Sequence, residues 1–254
     1  MAPKVICVSN QKGGIGKTTT ATTLASILSE KGNTLLIDAD IQGNSTDTYR
    51  AVYENAATLY DVLLEENPID INDAIQHTEM GDIIASDPLL READSKLSTK
   101  GLSGYKILKK ALETLHGYDY VVIDTAPAIN MTLRNVLVAS DYVLIPITAD
   151  RYGIQGLYEL SVSINDAREL NDKLKIAGIL LIRYNKRTIL GREVHDSLLL
   201  EAQKLNTRLF ETTISECNKV KEAQTMRYTL TKYDNSCTAA KDYRIFTDEL
   251  LKEI

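Results

Sequence analysis

No apolar run in this chain approaches the roughly 18 residues that would mark a membrane span. The opening "MAPKVICVSN" also lacks the long apolar segment of a signal peptide. Cysteine is scarce: Cys7, Cys217 and Cys237 are odd in number and share no C-x-x-C spacing. That argues against a disulfide framework or a cysteine metal site and suits a reducing cytoplasm. There is no repeat, low-complexity tract or Pro/Gly-rich linker, so one domain over residues 1–254 is expected, long enough to bury a sizeable core. A glycine-rich stretch opens as early as Ser9, so no helix-turn-helix or other accessory domain is expected ahead of it. Positive charge is short as well, and a net charge of −6 offers nucleic acid no general attraction.

The distribution of charge says more than its sum. From Leu181 to Lys232 ten Lys/Arg stand against six Asp/Glu, so this stretch carries +4 and the remainder −10. A local basic face on an acidic protein is one reading, and ordinary solvated helix faces are the other. Short β-branched runs alternate with helical patterns along the chain. Residues 4–9, 34–38, 81–86, 118–124, 141–147 and 175–183 read as buried strands. Helices are expected over 17–31, 58–65, 104–116, 130–139, 154–170, 190–204 and 239–252. Such alternation predicts an α/β fold: a doubly wound, mostly parallel sheet with helices on both faces.

Between the first strand and the first helix lies "SNQKGGIGKTTT", Ser9 to Thr20. Read backwards from Gly16-Lys17-Thr18, the ordinary phosphate-loop template asks for glycine where this chain has Gln11, and a second lysine, Lys12, precedes Gly13 and Gly14. Strand before and helix after is the context in which such a loop binds phosphate. Gly13, Gly14, Ile15 and Gly16 would present backbone N–H groups to phosphate oxygens, and the helix start would add its dipole. Lys17 should reach the β- and γ-phosphates of ATP, Thr18 should place its hydroxyl on Mg²⁺, and Thr19 should follow in the same first turn. Asp38 and Asp40 leave a strand end on one side. Asp124 ends the later apolar strand "YVVIDTAP", where a carboxylate usually serves the Mg²⁺ shell. Thr18, Asp38 and Asp124 are therefore the expected metal residues.

The combination K-G-G-x-G-K-T-T, D-x-D-x-Q-G-N and hydrophobic-D-T-x-P resembles the deviant Walker A ATPases, and within them the ParA/Soj partition family, over essentially the whole chain. "DYVLIPITADRYGIQGL" and "LLIRYNKRTILGREV" are similar to later family segments. The resemblance gives Lys12 a role: a signature lysine that crosses a dimer interface to the phosphates held by the partner subunit. A second cation would offset part of the about four negative charges that ATP brings into a stacked dimer. The resemblance also implies that Asp40 positions the attacking water, and that Lys12, Lys17 and Asp40 carry the catalysis. There is no glutamine of the Ras type, so turnover should be slow until a partner stimulates it.

Two departures affect the base. Ile41 replaces the family's usual proline, and Ser215 and Glu216 stand where I-P-R usually supplies proline and arginine. Arg183, Tyr184 and Ser215 are the residues expected near the adenine. Family members bind DNA without sequence preference. Arg187 and Lys219 match their basic positions, and Lys186, Arg192 and Lys221 would extend the patch. The implied protein is a cytoplasmic, nucleoid-associated ATPase that dimerises on ATP, binds DNA non-specifically and segregates chromosomal, plasmid or mobile DNA with a ParB-like centromere-binding partner. The alternatives are a MinD-like positioning ATPase and a nucleotide-switched scaffold. A MinD-like role needs a basic amphipathic C-terminal helix. Here Ala239, Tyr243, Phe246 and Leu250 recur at i, i+4, i+7 and i+11, the pattern of a helix packed on the core rather than on a membrane.

Overall fold

The near-continuous apolar runs become seven strands of one sheet. The computed structural model describes residues 2–64, 69–149, 151–184 and 189–254, with backbone alone for 151–155 and 189–192. The strands are β1 (Lys4–Val8), β2 (Thr34–Ala39), β3 (Ile75–Thr78), β4 (Gly81–Ile84), β5 (Tyr120–Thr125), β6 (Tyr142–Thr148) and β7 (Lys175–Ile182), in the order β3-β4-β2-β5-β1-β6-β7. All neighbours run parallel except β3, which pairs antiparallel with β4 at the edge. The expected doubly wound, mostly parallel sheet is thus what forms. The edge strand β3 was not expected; it is only half-buried, so it lacks the apolar run that marks the others.

Eleven α-helices are formed among the described residues. The first six are α1 (Lys17–Leu28), α2 (Asn44–Thr48), α3 (Leu59–Leu63), α4 (Ala93–Ser98), α5 (Ile107–Thr114) and α6 (Met131–Ala139). Beyond β6 come α7 (Arg151–Arg168), α8 (Ile189–Lys204), α9 (Asn218–Thr225), α10 (Leu230–Tyr233) and α11 (Thr238–Leu251). Strand residues alternate between two cores, as a pleat dictates. Val5, Cys7, Leu35, Ile37, Val121 and Ile123 face α3 to α8. Ile6, Val8, Leu36 and Val122 face α1, α10 and α11.

The last helix lies against this second core. Ala239, Tyr243, Phe246 and Leu250 are at most 2% exposed, and the Tyr243 hydroxyl pairs with Thr20 Oγ1 of α1 at 2.9 Å. Phe246 meets Phe210 edge to face, with ring centroids 4.9 Å apart. Among the described residues, no helix is long and apolar enough to cross a membrane.

Candidate functional site

The carboxyl ends of β1, β2 and β5 adjoin one another, and in open α/β sheets that is where ligands bind. A cleft of about 550 Å³ opens there. The loop after β1 forms its floor: Gly13, Gly14, Gly16, Lys17, Thr18 and Thr19 all line it. Loop shape is held from within. The Asn10 side chain donates to the Pro146 carbonyl at 2.8 Å, and its Oδ1 accepts from the Lys12 backbone N–H at 3.0 Å. Gly16, the residue before α1, has φ 93, and a Cβ there would stand 3.2 Å from Ile182 Cδ1. The left-handed φ strains any L side chain, and Ile182 would have to give by a few tenths of an ångström to admit a Cβ.

Lys17 is only 6% exposed, and its Nζ donates to the Lys12 carbonyl at 2.9 Å. Burial lowers its pKa, against the upward pull of Asp124 and Asp40. The Arg183 guanidinium reaches across to donate to the Gly14 carbonyl. Ile15 is buried beneath the loop, so only its backbone is available to a ligand.

Asp38 and Asp124 are paired in register on β2 and β5, and both are wholly buried. Asp38 Oδ2 accepts from the Thr46 N–H at 2.7 Å and the Thr46 hydroxyl at 2.8 Å, and Oδ1 from the Asp40 N–H at 3.1 Å. Asp124 Oδ2 accepts from Ser45 Oγ at 2.8 Å. Among the described residues, Asp124 Oδ1 has no hydrogen-bond partner. Burial first, then mutual repulsion, raises Asp38 above the ordinary carboxylate range. Burial likewise raises Asp124, against the hydrogen bond from Ser45.

These residues fit a divalent ion. An oxygen with a free lone pair lies buried on Asp124, in a set too small to enclose a metal by itself. Among the described residues no group of three or more His, Cys, Asp or Glu could hold a metal ion. Mg²⁺ is commonly held by one or two carboxylates plus substrate phosphates and water, which is what Thr18 and Asp124 leave open. Asp40, 6% exposed, stands at the cleft wall, and its Oδ1 accepts from the Gln42 N–H at 3.0 Å.

Several lining residues were not anticipated. Gln42, Asn44, Asp47 and Thr48 come from the end of β2 and from α2, while Pro127, Gln224 and Tyr243 close other sides. Gln224 Nε2 donates to Thr19 Oγ1 at 2.9 Å, linking α9 to the loop helix. The "QGN" triplet carried the signal for α2, since Gly43 adopts φ 63 just ahead of it.

The expected base region divides. Ser215 and Arg183 line the cleft, and the Ser215 N–H is fixed by Asp242 Oδ2 at 2.8 Å. Tyr184 does not line it. Strict strand alternation would put Tyr184 on the side of Ile182, but Arg183 takes a left-handed backbone, φ 50, and breaks the alternation. The Tyr184 ring therefore packs on the opposite core and stacks on His195, centroids 6.2 Å apart. Lys12, half-buried in the loop, is not a lining residue of the cleft either.

Of the expected basic residues, Lys219 and Lys221 sit on α9. Lys219 Nζ pairs with Glu222 at 2.8 Å and lies 5.9 Å from the Tyr233 ring centroid. Lys221 is exposed at the cleft edge. Lys186 and Arg187 lie outside the described residues, as does the Arg192 side chain.

A family model described as an AAA domain matches residues 3–176. The chain is 33% identical to the chromosome partitioning protein ParA of Caulobacter vibrioides, over 98% of this chain and 94% of that protein. It is equally, 33%, identical to the sporulation initiation inhibitor protein Soj of Bacillus subtilis, over 99% of this chain and 98% of that one. Among solved structures it is similar to cobyrinic acid a,c-diamide synthase of Mycobacterium smegmatis with bound ATP analogue and magnesium: TM-score 0.85, 26% identity, 98% and 94% of the two chains. Sequence similarity that runs the length of both ParA and Soj, on a fold shared with a nucleotide-bound neighbour, makes this chain a member of the ParA/Soj family of P-loop ATPases.

Proposed function

We propose that this chain, acting as one domain, is an ATP-driven dimerisation switch that binds DNA without sequence preference and segregates chromosomal, plasmid or mobile DNA. The observation that carries the nucleotide part is that Lys17 and Thr18 line one cleft while Asp38 and Asp124 lie buried and paired in register on the adjoining strands. Loop N–H groups and Lys17 hold the phosphates of ATP. Thr18 and Asp124 hold the metal, and Asp38 fixes Thr46 and the Asp40 backbone beside it. When bound, Mg²⁺ supplies positive charge to the phosphate oxygens during hydrolysis. Asp40 orients the attacking water. Arg183 and Ser215 contact the base, and Lys12 reaches the phosphates of a second copy.

DNA contact is assigned to Lys186, Arg187, Arg192, Lys219 and Lys221, doubled by the two-fold dimer. A ParB-like protein stimulates the slow hydrolysis and releases the dimer, in the cytoplasm and on the nucleoid. The membrane-positioning alternative is disfavoured by α11, whose apolar face is spent on the core.

Electrophoretic mobility shifts on two unrelated duplexes test this reading. ATP should be required and both duplexes should shift alike. Log affinity should fall by about 0.9 per neutralised phosphate for each tenfold rise in salt. Arg187→Glu combined with Lys219→Glu should abolish the shift while leaving ATP affinity unchanged. A wild-type dimer that shifts neither duplex at low salt would refute DNA binding and favour the scaffold.

A further inference from the structure

The backbone of Asp40 is pinned on both sides of its Cα. Its N–H donates to Asp38 Oδ1 at 3.1 Å. Its carbonyl accepts from the Gly43 N–H at 2.9 Å and from Ser86 Oγ at 2.6 Å. Ser86 lies just past the end of β4, the strand that pairs parallel with β2. It is 2% exposed and does not line the cleft. Its own N–H donates to Thr46 Oγ1 at 2.8 Å, and that hydroxyl donates to Asp38 Oδ2 at 2.8 Å. One buried serine therefore grips both ends of the segment 40–46, which carries Asp40 into the cleft wall. The serine is held in turn by its neighbours. The Ala85 carbonyl accepts from the Leu59 N–H at 2.9 Å, and Asp87 Oδ1 accepts from the Leu89 N–H at 2.7 Å.

We propose that Ser86 is a positioning residue for ATP hydrolysis that acts through Asp40, which rests on Asp40 being the group that orients the attacking water. The two peptide groups flanking a Cα set the direction of its side chain. Asp38 fixes the peptide before Asp40, and Ser86 and Gly43 fix the one after it. The Gly43 bond closes a turn within the segment, as does the bond from the Gln42 N–H to Asp40 Oδ1 at 3.0 Å. If the segment swings, donors and acceptors of those two bonds swing together. Ser86 comes from a different strand, so its bond ties the second peptide to the sheet itself. Reacting groups tolerate little displacement, and a shift of about 1 Å can cost about a hundredfold in rate.

The substitution Ser86→Ala is well suited to isolate this bond. The Asp40 carbonyl keeps the Gly43 N–H, so no buried acceptor is left without a donor. The backbone bond from Ser86 to Thr46 does not depend on the side chain. The expected effect is on turnover and not on nucleotide affinity, because Ser86 lies outside the cleft that would hold ATP.

The test measures Mg²⁺-ATP hydrolysis by the full chain under multiple- and single-turnover conditions, for wild type, Ser86→Ala, Asp40→Ala and the double variant. Ser86→Ala should lower kcat by at least about tenfold, with KM and the Kd for ATP within about twofold of wild type. Added to Asp40→Ala, it should lower the rate no further, the mark of two residues acting as one unit. Ser86→Cys, close in volume but a weak donor, should also lower kcat, and it replaces the alanine variant if circular dichroism shows that variant unfolded. Wild-type kcat in Ser86→Ala beside a slow Asp40→Ala would overturn the proposal and leave the role of Asp40 standing. A raised KM with unchanged kcat, or a further loss in the double variant, would also overturn it, since Ser86 would then act by another route. Wild-type kcat in Asp40→Ala would refute the role of Asp40 itself, and the proposal would fall with it.

Discussion

Asp38 and Asp124 face each other in register across β2 and β5, with no exposed surface on either side chain. Two carboxylates so placed repel each other, and the hydrogen bonds from Thr46, Ser45 and the Asp40 backbone only partly offset the loss of water. A cation relieves the pair; without one, protonation does. That competition makes the empty form more sensitive to pH than the loaded one.

The first prediction follows from the direction of those shifts. A carboxylate raised in the folded state gives stability that is full below its unfolded pKa, about 4, and is lost as pH rises through its folded value. In chelator-treated protein the melting temperature should therefore fall as pH rises from about 4 toward neutrality, by about 2–4 °C for each kcal/mol lost. Mg²⁺ with nucleotide should flatten the slope at its upper end. Scanning fluorimetry across pH would detect it, and a melting temperature that rises through this range in chelator would contradict the assignment.

Lys17→Ala should weaken ATP binding by at least about a hundredfold, as expected when one partner of a buried charged contact is truncated. Thr18→Ala should instead lose the Mg²⁺ dependence of binding, since it removes the hydroxyl assigned to the metal. Calorimetry with and without Mg²⁺ separates the two. Comparable tight binding by Lys17→Ala would move the phosphates elsewhere.

The parts of this site that are legible in the sequence are those where chemistry and local pattern coincide. Gly16, Lys17 and Thr18 join a strand to a helix, and Asp38 and Asp124 end apolar runs, so their positions can be read. α2 is different: its five residues, NSTDT, carry no apolar period, and its place comes from Gly43 and from Ser45 and Thr46 binding the two aspartates. Tyr184 is misplaced by alternation because one backbone angle at Arg183 reverses its side.

Phe246→Ala should cost about 3–5 kcal/mol, the usual range for an aromatic truncated in a core, because Phe246 is fully buried against Phe210. Chemical denaturation measures it. A cost below about 1 kcal/mol, together with binding to anionic liposomes, would mean that α11 leaves the core and would revive the membrane reading.

The final prediction separates holding the phosphates from linking two subunits. Lys12 and Lys17 share one loop, and Lys17 Nζ bonds the Lys12 carbonyl, so the two side chains cannot be assigned the same task by position alone. Lys17 lines the cleft and Lys12 does not. If Lys12 serves the partner's nucleotide, Lys12→Ala should bind ATP within a few-fold of wild type yet remain monomeric with a non-hydrolysable analogue, under which wild type should dimerise. Asp40→Ala should do the reverse, because the charge that assembles the dimer is intact and only the water-orienting carboxylate is gone: it should dimerise with ATP itself and stay dimeric. Multi-angle light scattering on all three proteins reads both effects directly. Equal dimerisation by wild type and Lys12→Ala would remove the cross-subunit role, and with it the reason for a second lysine in the loop.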